Sequence, residues 1–210
     1  NNEKATAHQH VNKNDHEYAN EYDEVCVRFW HDQLFAKPPN AGGNVAWHQD
    51  YSYWTRTKPM QHLTVHIALD QQTPENGAIA YVPESHEWYR TDEITGELLP
   101  LPITDLHFID MDSIFNVLTE EERKKWSINV CQLKPGEAVF HHPLAIHGSY
   151  PNRSKKARRA AVLNYFKDGT YSNTDEPLLE GMDVVPKGHK LQTVFNPIVY
   201  DPIWKEQETK

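Results

Sequence analysis

The stretch Ala46–Trp54, AWHQDYSYW, sets a histidine and an aspartate two positions apart among four aromatic residues. In an extended strand, residues i and i+2 point to the same face, so His48 and Asp50 project together and Gln49 turns away. A divalent metal ion takes two ligands in this way. Two polar residues on a partly exposed strand satisfy the same pattern, and on this pair alone that plainer reading leads. A third ligand changes the balance, because two histidines and one carboxylate on one side of iron(II) leave three positions open. The stretch VFHHPLAIHGSYPN offers His141, His142 and His147. His147 is the favoured ligand. It lies in an apolar strand and precedes Gly148-Ser149, where a glycine lets another backbone approach closely. His141 and His142 precede Pro143 and suit packing or support of a ligand.

An iron site that uses a dicarboxylic cosubstrate also needs a cation, and arginine holds a carboxylate bidentately while keeping its charge when buried. Arg158 opens RRAAVLNYF, eleven residues after His147. Arg158, Ala160, Val162 and Asn164 share one face of that strand, and Arg159, Ala161, Leu163 and Tyr165 share the other. Small Ala160 and apolar Val162 favour the Arg158 face as interior, with Arg159 next in line.

The elements that must position these groups are short strands. Val25, Val27 and Phe29 alternate with Cys26, Arg28 and Trp30, and the run ends at Lys37-Pro-Pro-Asn40. HLTVHIALD over 62–70 separates Leu63, Val65, Ile67 and Leu69 from His62, Thr64, His66 and Ala68. Glu75-Asn-Gly77 marks a tight turn before a strand over 78–82. Further strands are expected over 128–133, 137–142 and 158–167, with a turn at Lys134-Pro-Gly136. Thr119-Glu-Glu-Glu122 matches a capping box and starts one helix. Many short strands with Pro/Gly turns indicate a sandwich or barrel. Residues 1–24 form a polar segment without periodicity, and 25–210 read as a single domain.

Taken in order, KPPNAGG, AWHQDYSYW, ALDQQTPENGAIAYVPESH and FHHPLAIHGSYPNRSKKARRA resemble the phytanoyl-CoA dioxygenase family, from about Phe29 to about Lys167. The resemblance implies a mainly β, double-stranded β-helix (jelly roll, cupin-like) with flanking helices. It implies a dioxygenase using Fe(II), 2-oxoglutarate and O2, with ascorbate supporting activity. His48, Asp50 and His147 match the iron ligands. Arg158 matches the arginine that pairs with the distal carboxylate of 2-oxoglutarate, and Ser149 falls where a hydroxyl supports it. Thr64 and Gln33 are further candidates for the cosubstrate, and Trp54 and Tyr53 for the substrate pocket. Core or rim packing is an equal reading of these last positions. The implied reaction is hydroxylation of an aliphatic C–H bond of a small molecule, releasing succinate and CO2. Desaturation, oxidative cyclisation and an inactive jelly-roll binding protein are the alternatives. Related halogenases lack the carboxylate, so Asp50 favours hydroxylation over halogenation. Two departures stand out. Pro83-Glu84-Ser85-His86 replaces the Pro-Gly-Ser-His turn usual in relatives, and the first core strands of relatives are not evident.

The chain has 210 residues and a net charge of −9, which speaks against nucleic acid or anionic lipid as partner. The basic run 153–159 reads as a solvated turn; it is also the one run that qualifies as a basic site for the phosphates of an acyl-CoA, and such a substrate is not supported. No apolar run approaches the roughly 18 residues of a membrane span. Cys26 and Cys131 cannot make a disulfide framework, so an intracellular, cytoplasmic setting is the expectation. Organelle targeting stays open, because a start at Asn1-Asn2 without Met suggests missing upstream sequence.

Overall fold

The computed structural model describes residues 25–41, 43–103 and 110–202, and the polar segment 1–24 lies outside them. Eight strands build the frame: β1 Val27–Lys37, β2 Val45–His48, β3 His62–Ala68, β4 Ile79–Tyr81, β5 Asn129–Val130, β6 Ala138–His141, β7 His147–Ser149 and β8 Arg158–Lys167. A last strand, β9 Ile198–Tyr200, adds to one edge. One sheet has the order β9-β1-β8-β3-β6 and the other β2-β7-β4-β5, with antiparallel pairing throughout both. Because consecutive strands of the eight, other than β4 and β5, switch between the sheets, the two wind around each other as a jelly roll. All eight strands lie within residues 27–167. β1 supplies the opening strand through its ten-residue register with β8.

β8 alternates as expected: Arg158, Ala160, Val162, Asn164 and Phe166 are buried, and the residues between them are less so. β3 alternates too, but its polar face is the inner one. His62, Thr64, His66 and Ala68 are buried, whereas on the other face Leu63 is exposed, Ile67 half-buried and only Val65 buried. The interior of this sheet faces a polar cavity, so periodicity finds the strand but hydrophobicity misplaces its inside. The outer face correspondingly carries exposed Leu34, Leu63 and Phe140.

Apolar cores close the two ends. Trp47, Ala80, Val82 and Ile146 of the four-stranded sheet region pack with Trp88, Leu101, Ile114 and Leu118. Trp30, Tyr51, Trp54, Leu144 and Phe166 pack with Leu178, Val185 and Leu191. Two helices are short. α1 is Tyr51–Trp54. α2, Glu120–Lys124, carries the expected capping box, with Thr119 Oγ1 accepting from the Glu122 amide and the Glu122 side chain accepting in return.

Two strand expectations are corrected. The strand through AWHQDYSYW stops at His48, and Asp50 stands at the N-cap position of α1 without a capping bond from its side chain. The reason is the core: Tyr51 and Trp54, three apart, are both buried on one side of a helical turn, which a strand would separate. The expected strand 128–133 contracts to β5 plus an isolated bridge between Gln72 and Leu133. The Glu75-Asn-Gly turn is a single 3-10 turn over Pro74–Asn76, ended by Gly77 at φ 75°.

Candidate active site

β2 and β7 are neighbours, and their register sets His48 directly opposite His147. Gly148 makes this possible, since a Cβ there would lie 2.9 Å from the Val45 carbonyl and 3.1 Å from the Trp47 ring. The two imidazole centroids are 4.2 Å apart. Nδ1 of His48 lies 2.8 Å from the Ala46 carbonyl, and Nδ1 of His147 lies 3.0 Å from that of Ala145. A carbonyl only accepts, so Nδ1 carries the proton in both rings and Nε2 keeps its lone pair. Each Nε2 faces the same atom, Asp50 Oδ1, at 3.6 Å from His48 and 3.5 Å from His147.

Asp50 reaches this point by a turn. The Tyr51 amide bonds to Pro143 O and the Tyr53 amide to Asp50 O, which starts α1 and swings the carboxylate over the histidines. Gln49 does turn away: its side chain donates to Trp88 O and Leu144 O and accepts from the Leu101 amide. The three ligand atoms of His48, Asp50 and His147 lie within 4.8 Å of one another, within reach of one ion, and form the metal-competent cluster among the described residues. Burial opposes the charge on Asp50, and the carboxyl is held well below its ordinary range by His147 when that ring is protonated and by the hydrogen bond from His141. Burial, then the neighbouring His48, pushes His147 well below its usual value, so the ring is neutral and its lone pair is available.

A cavity of about 1090 Å³ opens beside these three side chains. Arg158 lies in its wall and is 3 % exposed. One guanidinium nitrogen, Nη2, donates to Gly77 O, and Nε is buried without a partner among the described residues. Burial lowers the guanidinium only to about 10, so it is cationic at neutral pH. Arg159 points outward and forms a two-point pair with Asp70, 2.8 and 2.9 Å long. Ser149 is buried in the cavity wall. Gln33 lines the cavity from β1 and is exposed. Tyr53 and Trp54 also line it. The Tyr53 ring stands edge-on to His48 at 5.8 Å, whereas Trp54 is equally part of the α1 core. Tyr51 belongs to that core alone, its hydroxyl donating to Thr57 O.

Sequence reasoning missed several groups. Lys37 pairs in register with Arg158, so two cations share the inner face. Its Nζ donates to Gly43 O at 2.7 Å and Tyr150 O at 2.8 Å. Burial, then the nearby Arg158 charge, lowers the ammonium to about 8. His66 also lines the cavity and bonds with Gln72, and burial lowers it to about 4. No local signal shows Lys37 to be interior, because it stands at the end of a strand whose preceding residues 32–36 are exposed.

The phytanoyl-CoA dioxygenase family model matches residues 2–160. The chain belongs to the phytanoyl-CoA dioxygenase family. Among curated members, it is 32% identical over 143 residues to a probable alpha-ketoglutarate-dependent hypophosphite dioxygenase of Stutzerimonas stutzeri, covering 66% of this chain and 45% of that one. It is 31% identical over 154 residues to a phytanoyl-CoA dioxygenase domain-containing protein 1 homolog of Caenorhabditis briggsae, covering 69% and 48%. The chain thus spans about half the length of these curated relatives. The solved structure of the non-heme alpha ketoglutarate dependent epimerase SnoN from nogalamycin biosynthesis superposes with a TM-score of 0.62 at 20% identity, covering 85% of this chain and 64% of that one. This likeness establishes the fold. The family's jelly roll is therefore present here.

Proposed function

We propose that the chain is the catalytic domain of an iron(II)- and 2-oxoglutarate-dependent dioxygenase that hydroxylates an aliphatic C–H bond of a small molecule. The observation that carries this reading is the convergence of two histidine Nε2 lone pairs and Asp50 Oδ1 at the edge of a cavity that also holds the buried Arg158 guanidinium. The residues fit the groups they would hold. Two imidazoles and one carboxylate are the donor set of a facial iron(II) site. The buried Arg158 guanidinium, whose Nε has no hydrogen-bond partner among the described residues, suits the distal carboxylate of the cosubstrate.

In this reading His48, Asp50 and His147 hold the metal. Arg158, backed by the charge of Lys37 and by the Ser149 hydroxyl, anchors 2-oxoglutarate. When bound, the metal supplies oxidative decarboxylation of the cosubstrate coupled to oxygen insertion, releasing succinate and CO2. The protein orients the substrate and excludes water, with Tyr53 and Trp54 in the wall and Gln33 at the β1 side. Asp50 fills the ligand position that a halogenase leaves to halide, which favours hydroxylation.

Succinate formation from 2-oxoglutarate with iron(II) and ascorbate, screened across candidate metabolites, tests this function. A true substrate stimulates succinate release, and His147→Ala loses both metal and turnover. No 2-oxoglutarate binding, together with unchanged metal content and turnover in His147→Ala, would sink the reading.

A further inference from the structure

Asp50 presents its two carboxylate oxygens to different partners. Oδ1 faces the two Nε2 atoms. Oδ2 accepts from Thr64 Oγ1 at 2.7 Å and from His141 Nε2 at 3.0 Å. Thr64 on β3 and His141 on β6 are register partners, so both project from one level of the same inner sheet face. Asn164, the register partner of Thr64 on β8, continues that level and lies 2.9 Å from Thr64 Oγ1. The hydroxyl has a single proton, and the ionised carboxylate is the stronger acceptor. On the other side, Tyr81 OH lies 2.9 Å from His141 Nδ1. A phenol donating to Nδ1 leaves the imidazole proton on Nε2, where it points at Asp50.

We propose that Thr64 and His141, with Tyr81 behind His141, are positioning residues that clamp Asp50 Oδ2 so that the carboxylate binds the metal through Oδ1 alone. A carboxylate oxygen has about two lone-pair sites, and both sites of Oδ2 are taken. Chelation through both oxygens would break one of these bonds. It would also consume one of the three positions that cosubstrate and O2 require. The clamp therefore keeps the site open, and it assigns the Thr64 hydroxyl to Asp50, away from the cosubstrate. The proposal rests on the metal-site reading above.

The test uses the full chain with cobalt(II) as probe, without 2-oxoglutarate. Calorimetry gives affinity, and the visible spectrum reports coordination number. Partners behind a ligand typically contribute 10- to 100-fold in metal affinity. Thr64→Val and His141→Phe should each weaken cobalt(II) binding by about that factor and change the visible spectrum, because the freed Oδ2 takes a position otherwise open to an exchangeable ligand. Thr64→Ser, which restores the donor, should return both to within a few-fold of the wild type. Tyr81→Phe should give a smaller shift in the same direction. Folding is checked by circular dichroism, and Thr64→Val, nearly isosteric, carries the test if His141→Phe does not fold. Asp50→Ala separates the two levels of the argument. If Asp50→Ala binds cobalt(II) like the wild type, the metal-site reading itself is wrong. If Asp50→Ala loses the metal while folded Thr64→Val and His141→Phe keep wild-type affinity and spectrum, the clamp alone is overturned.

Discussion

Arg158 is a buried cation with no carboxylate against it among the described residues, and such a charge is costly unless something completes its hydrogen bonds. In a site for a dicarboxylic acid, the ligand does so. A two-point, charge-assisted pair is worth about 3 kcal/mol, or roughly a hundredfold in binding. Arg158→Leu should therefore raise the Kd for 2-oxoglutarate about a hundredfold while leaving metal affinity intact, as calorimetry with each component will show. Arg159→Leu is the matched control, because Arg159 lies on the outer face and is already paired with Asp70. Equal affinity in wild type and Arg158→Leu would move the anchor to another group, with Lys37 the cation beside it.

Between elements, closeness decides whether His48 and His147 can share an ion. β2 and β7 approach over Gly148, where an added Cβ meets a backbone oxygen and an indole ring that cannot swing away. Gly148→Ala should cost about 1–3 kcal/mol by overpacking and also weaken metal binding, because it pushes His48 from His147. Gly43→Ala, with nothing within 4 Å of its Cβ, should change neither. Thermal melts and metal titration of the pair check this, and a Gly148→Ala protein with unchanged Tm and metal affinity contradicts it. The turn after β4 holds a second such feature. Glu84 sits at φ 62°, the left-handed conformation that glycine adopts without strain, and Ser85 behind it accepts from the Ile146 amide at 2.8 Å. Glu84→Gly should thus be neutral to stabilising by up to about 1 kcal/mol in urea unfolding, and a clear loss of stability would refute the strain argument.

For the whole molecule, an interior lined by histidines makes stability depend on pH. Burial lowers His62 to about 4, aided by His31, and lowers His66 to about 4 as well. Unfolded, each ring takes up a proton near the ordinary value of about 6.5. Between these values the unfolded chain binds more protons than the folded one, so stability is full above about pH 6.5 and declines as the pH falls toward 4. The two rings together carry a few kcal/mol in this window, on the order of 3 each at most. Urea midpoints measured from pH 7.5 down to 4.5 should fall steadily below 6.5, and a flat profile would show that these rings titrate freely in the fold.

The types and order of the chemical groups were legible in the chain alone. So were the alternation of β8, the capping box at Thr119, and the turn at Gly77, because each follows from local spacing or from one residue's conformational limits. Local spacing says that two side chains share a face, but not which face is inside. On β3 the inner face is the polar one, and only the cavity between the sheets explains it. The same limit left Arg158 and Arg159 open until sheet packing turned one in and the other out. His141 and His147 have centroids 4.4 Å apart, so proximity alone does not separate them. What separates them is direction: His147 Nε2 meets Oδ1 and His141 Nε2 meets Oδ2. Asp50 joins the site through a helical turn and not through strand alternation, because Tyr51 and Trp54 must be buried together. Sequence by itself determined which groups are available. Pairing between strands about a hundred residues apart decided which atoms face one another, since register is set by the packing of the whole sheet and not by any one segment.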